Sequence, residues 1–218
     1  MEIKSIGKCR YCNKTFSSKV MTTHLKSCDK MKSMQEVEVR KEDIFLIRAG
    51  GGPFFVYFEV KANSTLEDVD EFLRDLWLEC CGHLSSFKIN DETYYSECED
   101  NEPEDKTMNY KLFTVLEVNT TFSHEYDFGT PTYLNLKVMQ KRKGSLKKIY
   151  VVARNDIPDF KCNCGKKAED ICPQCICTGE ESLLCIKCAN KHECMSEEEM
   201  LPIVNSPRMG MCGYTGED

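Results

Sequence analysis

Between Cys162 and Cys194 the chain reads CNCGKKAEDICPQCICTGEESLLCIKCANKHEC, eight cysteines and one histidine in 33 residues. A stretch so poor in large apolar side chains cannot bury enough surface to fold alone, so it needs a covalent or metallic cross-link. The N-terminus, MEIKSIGKCRYC, lacks the apolar stretch of a secretory signal. No apolar run approaches the roughly 20 residues of a membrane span. These features place the chain in the cytoplasm with no membrane partner. Thiols stay reduced there, so clustered cysteines are read as metal ligands rather than disulfides.

The ligand candidates of this stretch come in pairs: Cys162/Cys164, Cys172/Cys175, Cys185/Cys188 and His192/Cys194. Eight ligands suit two four-coordinate zinc ions, and the histidine favours zinc over iron. Pairs spaced in this way usually interleave, the first with the third and the second with the fourth. Spacing alone leaves consecutive pairing open. Cys177 and Cys212 are left over. Cys212 lies in the tight tail NSPRMGMCGYTG and is an alternative to Cys194 as the eighth ligand. The cysteine-rich module is taken to span residues 158–218.

A second cluster opens the chain. KCRYCNKTFSSKVMTTHLKSCDK gives Cys9-x2-Cys12-x11-His24-x3-Cys28. A short knuckle supplies two ligands, and one helix face supplies two more four residues apart, which closes a tetrahedron. Phe16 and Met21 supply the small core. The segment 1–32 resembles the classical zinc finger with Cys in place of the last His, and with one residue fewer between Phe16 and Met21. Three zinc ions are therefore expected, one N-terminal and two C-terminal.

Charge separates the ends. Residues 1–32 carry eight Lys/Arg against two Asp/Glu, residues 161–218 carry six against ten, and the whole chain is at −7. The total disfavours nonspecific nucleic-acid binding by the whole molecule, whereas the basic finger can bind locally.

Residues 36–157 read as an α+β domain, a small mixed β-sheet with one main amphipathic helix. DIFLIRAGGGPFFVYFEV reads as two strands around a glycine-rich turn, with Phe54, Val56, Phe58 and Val60 on one face. Gly50-Gly51-Gly52 lacks the Lys-Ser/Thr of a phosphate loop and is read as the hairpin turn. NSTLEDVDEFLRDLWLECC is the strongest helix, with a capping box at Ser64 and Glu67 and an apolar face of Leu66, Val69, Leu73, Leu76, Trp77 and Cys80. Cys80 and Cys81 are read as core and helix-end residues and His83 as incidental. SSFKINDETYY, YKLFTVLEV and TTFSHEYDFG read as strands, the last with Phe122, His124, Tyr126 and Phe128 on one face and His124 as a core residue. SECEDNEPEDK reads as a solvated acidic loop with Cys98 exposed. YLNLKVMQKRKGSLKKIYVVAR reads as a closing hairpin whose tip bears Lys141, Arg142, Lys143, Lys147 and Lys148. That tip is either a phosphate contact or a turn that blocks edge aggregation, and the lack of interleaved aromatics favours the second.

At FSHEYDFGTPTYLNLKV, with TLEDVDEFLRDLW upstream, the middle segment resembles the plasmid pRiA orf-three-like family. The motif falls on Tyr126, Asp127, Phe128 and Gly129. The resemblance covers roughly half the chain. It implies a compact α+β domain and no settled activity. Members of that family often continue with Asp, Trp and His after the glycine. Thr130, Pro131 and Thr132 stand here instead, so a site built on that Trp and His is absent. The downstream ARN, the CxC and CxxC pairs and NSPRMGMCGYTG look like a zinc-bearing variant of the same family.

The chain offers no His-Glu-x-x-His, and ICPQC lacks the preceding His-x-Glu of zinc deaminases. The expectation is a non-enzymatic zinc protein associated with nucleic acid through Lys8, Arg10, Lys14, Lys19 and Lys26, with Lys141, Arg142 and Lys143 as further contacts. The alternatives are a protein–protein adaptor acting through the C-terminal knot, and then a metal-dependent hydrolase.

Overall fold

The computed structural model describes residues 3–34, 42–97, 106–194 and 199–216. Most of the acidic loop, including Cys98, lies outside the described residues. In chain order the strands are β1 Ile6–Cys9, β2 Thr15–Ser17, β3 Glu42–Gly51, β4 Phe54–Lys61, β5 Ser85–Ile89, β6 Glu92–Tyr95, β7 Lys106–Thr107, β8 Thr121–Tyr126, β9 Thr132–Gly144, β10 Tyr150–Asn155, β11 Asp170–Ile171, β12 Leu183–Leu184 and β13 Leu201–Pro202. The helices are α1 Ser18–Ser27, α2 Asp29–Met34, α3 Leu66–Leu73, α4 Leu112–Val115, α5 Pro173–Thr178 and α6 Ile186–Ala189, with a π-helical turn over Arg74–Leu78 continuing α3.

The fold is α+β, but the sheet is not small. Ten strands run in the order β2-β1-β10-β4-β3-β9-β8-β5-β6-β7. All neighbours are antiparallel except β6 and β7. A second sheet of three short strands, β12-β11-β13, frames the cysteine-rich module.

The central strand β4, FFVYFEVK, is buried along nearly its whole length. A strand apolar on both sides needs cover on both sides. Phe54, Val56, Phe58 and Val60 face the core formed with Leu66, Val69, Leu73 and Trp77 of the helix. Phe55 and Tyr57 point the other way, onto Cys9, Met21, Leu25, Cys28 and Met31 of the N-terminal finger. The finger is thus built into the sheet, with β1 paired to β10 and the finger helix lying on the back face. Tyr57 Oη donates to the Ser18 carbonyl at 3.0 Å and the Arg48 guanidinium donates to Ser18 Oγ at 3.2 Å, which fixes the start of α1.

Several local expectations are corrected. The capping box forms one residue later, between Thr65 and Asp68, with Asp68 N donating to Thr65 Oγ1 at 3.1 Å and Thr65 N to Asp68 Oδ2 at 2.7 Å. YKLFTVLEV forms the helical turn α4, not a strand, because Leu112 and Phe113 send their N–H groups to Ser64 and Ala62 instead of to a sheet neighbour. Phe122, His124 and Tyr126 point inward, but Asp127 takes φ +68° and turns the chain, so Phe128 is exposed. His124 is a core residue, its Nε2 at 2.6 Å from Asp70 Oδ1. SSFKINDETYY makes two strands, β5 and β6, around Asn90 at φ +55°.

The largest correction concerns the closing hairpin. β9 does not pair with β10. β9 pairs with β3 and β8, and β10 pairs with β4 and β1. The apolar β3–β4 hairpin takes the centre and pushes the two segments to either side. Lys141, Arg142 and Lys143 therefore sit inside a paired strand, opposite Phe45, Ile44 and Asp43, and not at a projecting tip.

Glu59 interrupts the apolar run of β4 and is fully buried on the back face. Arg142 clamps it with Nε at 2.7 Å from Oε1 and Nη2 at 2.5 Å from Oε2, and Tyr11 Oη donates to Oε2 at 3.1 Å. Removing one member of such a pair strands a buried charge, whereas replacing both does not. The expected result is that Arg142→Met costs about 3–5 kcal/mol in urea unfolding. The double variant Glu59→Leu/Arg142→Met should be more stable than that single variant.

Candidate metal centres

Among the described residues, four groups of cysteine and histidine bring their donor atoms within 4.8 Å of one another. They are Cys9, Cys12, His24, Cys28; Cys162, Cys164, Cys185, Cys188; Cys172, Cys175, His192, Cys194; and Cys80, Cys81, His83, Cys212.

The finger cluster is shaped by a knuckle and a helix. Asn13 N donates to the Cys9 carbonyl at 2.8 Å and Cys9 N to the Lys14 carbonyl at 3.0 Å, with Asn13 at φ +61° closing the turn. His24 and Cys28 approach from α1 and its C-terminal end, and Phe16 stacks on the His24 ring at 4.3 Å. In the C-terminal module the pairs interleave. Cys162 and Cys164, on a turn closed by Gly165 N to the Cys162 carbonyl, meet Cys185 and Cys188 at the start of α6. Cys172 and Cys175, at the start of α5, meet His192 and Cys194. Cys194 is thus the member of this cluster, and Cys212 lies elsewhere. Cys177 is exposed and joins none of these groups.

The separations test whether an ion fits. Two sulfurs bound at ~2.3 Å to one tetrahedral ion stand ~3.8 Å apart, and a sulfur and a nitrogen ~3.5 Å. Cys164–Cys185 is 3.6 Å, Cys172–Cys194 is 3.8 Å, Cys175–Cys194 is 4.0 Å and Cys81–Cys212 is 3.5 Å. The sulfur–nitrogen distances are 3.2 Å for Cys12–His24 and 3.3 Å for Cys175–His192. These match the edges of a coordination tetrahedron and are far from the ~2.05 Å of a disulfide.

Electrostatics carry the same message. Within the all-cysteine cluster, Cys162 is drawn down to about 6 by the backbone N–H groups of Cys164 and Cys185, while Cys188 is pushed up to about 12 by its hydrogen bond to Cys162 and by the neighbouring thiols. Burial first, then the thiols of Cys172 and Cys194, lift Cys175 to about 12. Burial lifts Cys9 to about 11, and contact with Cys212 and then Cys80 lifts Cys81 to about 12. Ionising one thiol in such a group makes the next harder to ionise. A dication at the centre reverses that order, because it stabilises all the thiolates together. Burial holds His24 below the usual imidazole range, which keeps it neutral and able to donate a lone pair.

The sequence reads Cys80, Cys81 and His83 as core, helix-end and incidental residues, and the fold instead gathers them with Cys212. The available signal is local. Cys80-Cys81-Gly82-His83 packs three donor residues into four positions, and Cys212 is in surplus.

The cations separate into two sets. Lys8, Arg10, Lys14, Lys19 and Lys26 are all exposed and have no carboxylate partner among the described residues. Lys141 and Lys143 pair with Asp43 at 3.2 and 2.8 Å, and Arg142 is taken up by Glu59. No helix among the described residues is long and apolar enough to cross a membrane.

No family model matches the chain, and no curated protein matches it. Among solved structures, a protein of unknown function, MM3350 from Methanosarcina mazei Go1, is similar over 53% of this chain and 68% of its own. The identity is 13% and the TM-score 0.44.

The interleaving gives a direct expectation. In native mass spectrometry of the metal-loaded chain, Cys164→Ser/Cys188→Ser should lose a single ion, because both residues serve one centre. Cys164→Ser/Cys172→Ser should lose two.

Proposed function

We propose that the chain is a non-enzymatic, zinc-stabilised nucleic-acid-binding protein that reads its target through the outward face of the N-terminal finger. The observation that carries this reading is the exposed charge of Lys8, Arg10, Lys14, Lys19 and Lys26, unpaired among the described residues, set against the neutralised Lys141, Arg142 and Lys143. On α1, Lys19 and Lys26 are seven residues apart and share a face with Thr23, opposite the buried Met21 and Leu25. The sheet seals one side of the helix, and the other side presents cations to solvent. Exposed cations that meet phosphates release the counterions condensed there, which drives nucleic-acid association.

Zinc is the metal that suits the three clusters of the finger and the C-terminal module, since two are mixed thiolate and imidazole sets and the third is a four-cysteine set that structural zinc also takes. Each cluster supplies four protein ligands. A full set of ligands leaves no position for a reactive water, which supports a structural role over a hydrolytic one. In this reading the middle segment, with its resemblance to the plasmid pRiA orf-three-like family, is the scaffold. The thiolate ligands are consistent with a reducing, cytoplasmic setting.

The test is fluorescence anisotropy with a duplex DNA and an RNA hairpin across a salt series. Lys19→Glu/Lys26→Glu should weaken binding at least tenfold and lower the log–log salt slope by about two, one for each phosphate no longer neutralised. Lys141→Glu/Lys143→Glu should leave both unchanged. Affinity indifferent to the finger charges on both probes would overturn the reading and leave a protein adaptor as the better account.

A further inference from the structure

We propose that Cys80, Cys81, His83 and Cys212 form a fourth zinc centre, solvent-facing and exchangeable, which fastens a C-terminal strap, residues 203–216, to the end of the main helix. The four donor atoms lie within 4.8 Å of one another, as in the other three clusters, with one sulfur–nitrogen pair closer than a tetrahedral edge. Cys80 and Cys81 sulfurs stand 3.7 Å apart, Cys81 and Cys212 sulfurs 3.5 Å, and His83 Nε2 lies 3.4 Å from Cys212 Sγ and 2.9 Å from Cys81 Sγ.

The backbone is bent to aim these donors. Gly82, at φ +74°, wraps the chain so that the residues on either side of it face one point. Cys212 itself takes φ +50°. A cysteine has no intrinsic preference for that region and is strained there. Strain of this kind needs a compensating interaction, and an ion bound by Cys212 provides one. Gly210, at φ +82°, packs the chain just before Cys212 against Ile171 and Ile176 of the cysteine-rich module, where a Cβ would collide.

The surroundings support an ion. Three thiolates and one dication carry a net negative charge, and the fully buried Arg208 places Nη2 at 3.6 Å from Cys80 Sγ. Arg208 is held by Asp127 at 2.5 Å, by the Thr130 carbonyl at 2.6 Å and by Thr132 Oγ1 at 3.1 Å. Glu79 accepts from Gly82 N at 2.6 Å and from Tyr126 Oη at 3.1 Å, and so braces the ligand loop. Hydrogen-bonded partners behind the ligands orient them and tune the metal. Tyr126 and Asp127, both within Tyr-Asp-Phe-Gly, thereby acquire a role at this centre.

The centre differs from the other three in exposure. Each of those contains at least two buried ligands, and this one contains none, with Cys81 and Cys212 open to solvent. Cys212 and His83 are 129 residues apart in the chain, so losing the ion removes one long-range tie without dismantling a local knot. The strap has other anchors: Ser206 Oγ donates to the Trp77 carbonyl at 2.6 Å, and Asn155 Nδ2 donates to Asn205 Oδ1 at 2.7 Å. The fold therefore survives an empty centre.

The experiment is native mass spectrometry of the full chain, purified with reductant and saturated with Zn2+, beside release of zinc to a chromophoric chelator. The wild type should hold four ions, one of them leaving at least tenfold faster than the rest. Cys81→Ser and Cys212→Ser should each hold three, lack the fast phase and keep the far-ultraviolet circular dichroism of the wild type. A wild type saturating at three ions, variants that keep four, or four ions leaving together would overturn the proposal. So would a two-dalton loss marking a Cys81–Cys212 disulfide in place of the ion.

Discussion

Thiols packed at 3.5–4.0 Å, several to a cluster, cannot all ionise without a cation among them. That constraint governs the parts of the chain that the sheet does not fold. Among the described residues, the C-terminal module's own apolar cluster is small, with Cys172, Cys175 and Leu184 buried, while its Phe160 and Ala168 join the main core. With so little to bury, the module is organised around its two Cys/His clusters, and the binding energy of ions held there would be folding energy. The finger is in a different position, because its Met21, Leu25 and Met31 are shared with Leu46, Phe55, Tyr57 and Val152 of the sheet. Its Cys/His cluster ties off a helix that the sheet already holds.

This division explains how charge can be displayed. A strand buried on both faces, β4, recruits the finger to cover its back, and the finger then has one covered side and one free side. Basic residues on the covered side would need partners, as Arg142 does with Glu59. Those on the free side need none. The same sheet that pairs Lys141 and Lys143 with Asp43 and Arg142 with Glu59 leaves Lys19 and Lys26 without a carboxylate partner among the described residues.

Much of this is legible in the sequence wherever the signal is local. The Cys9–Cys28 spacing, the four C-terminal pairs, the α3 face and the alternation of Phe54, Val56, Phe58 and Val60 each depend on residues close together in the chain. What is not legible depends on distant pairing. β9 and β10 look like a hairpin because they are adjacent, yet the more apolar β3 and β4 take the centre. Leu112 and Phe113 read as strand until their N–H groups find Ser64 and Ala62 across the fold. Simple alternation carries Phe128 inward, and a positive φ at Asp127 interrupts it. The cluster of Cys80, Cys81 and His83 needs Cys212, and no spacing rule spans so long a separation.

The central claim is that the Cys/His clusters are closed metal centres, and zinc K-edge X-ray absorption on the metal-loaded chain addresses it most directly. The four clusters contribute thirteen sulfur and three nitrogen donors. The account predicts a first shell of about three sulfurs at ~2.3 Å and less than one nitrogen at ~2.0–2.1 Å per ion, with no oxygen. A shell with two or fewer sulfurs and a light-atom oxygen ligand would mean open or misassigned sites, and would contradict it.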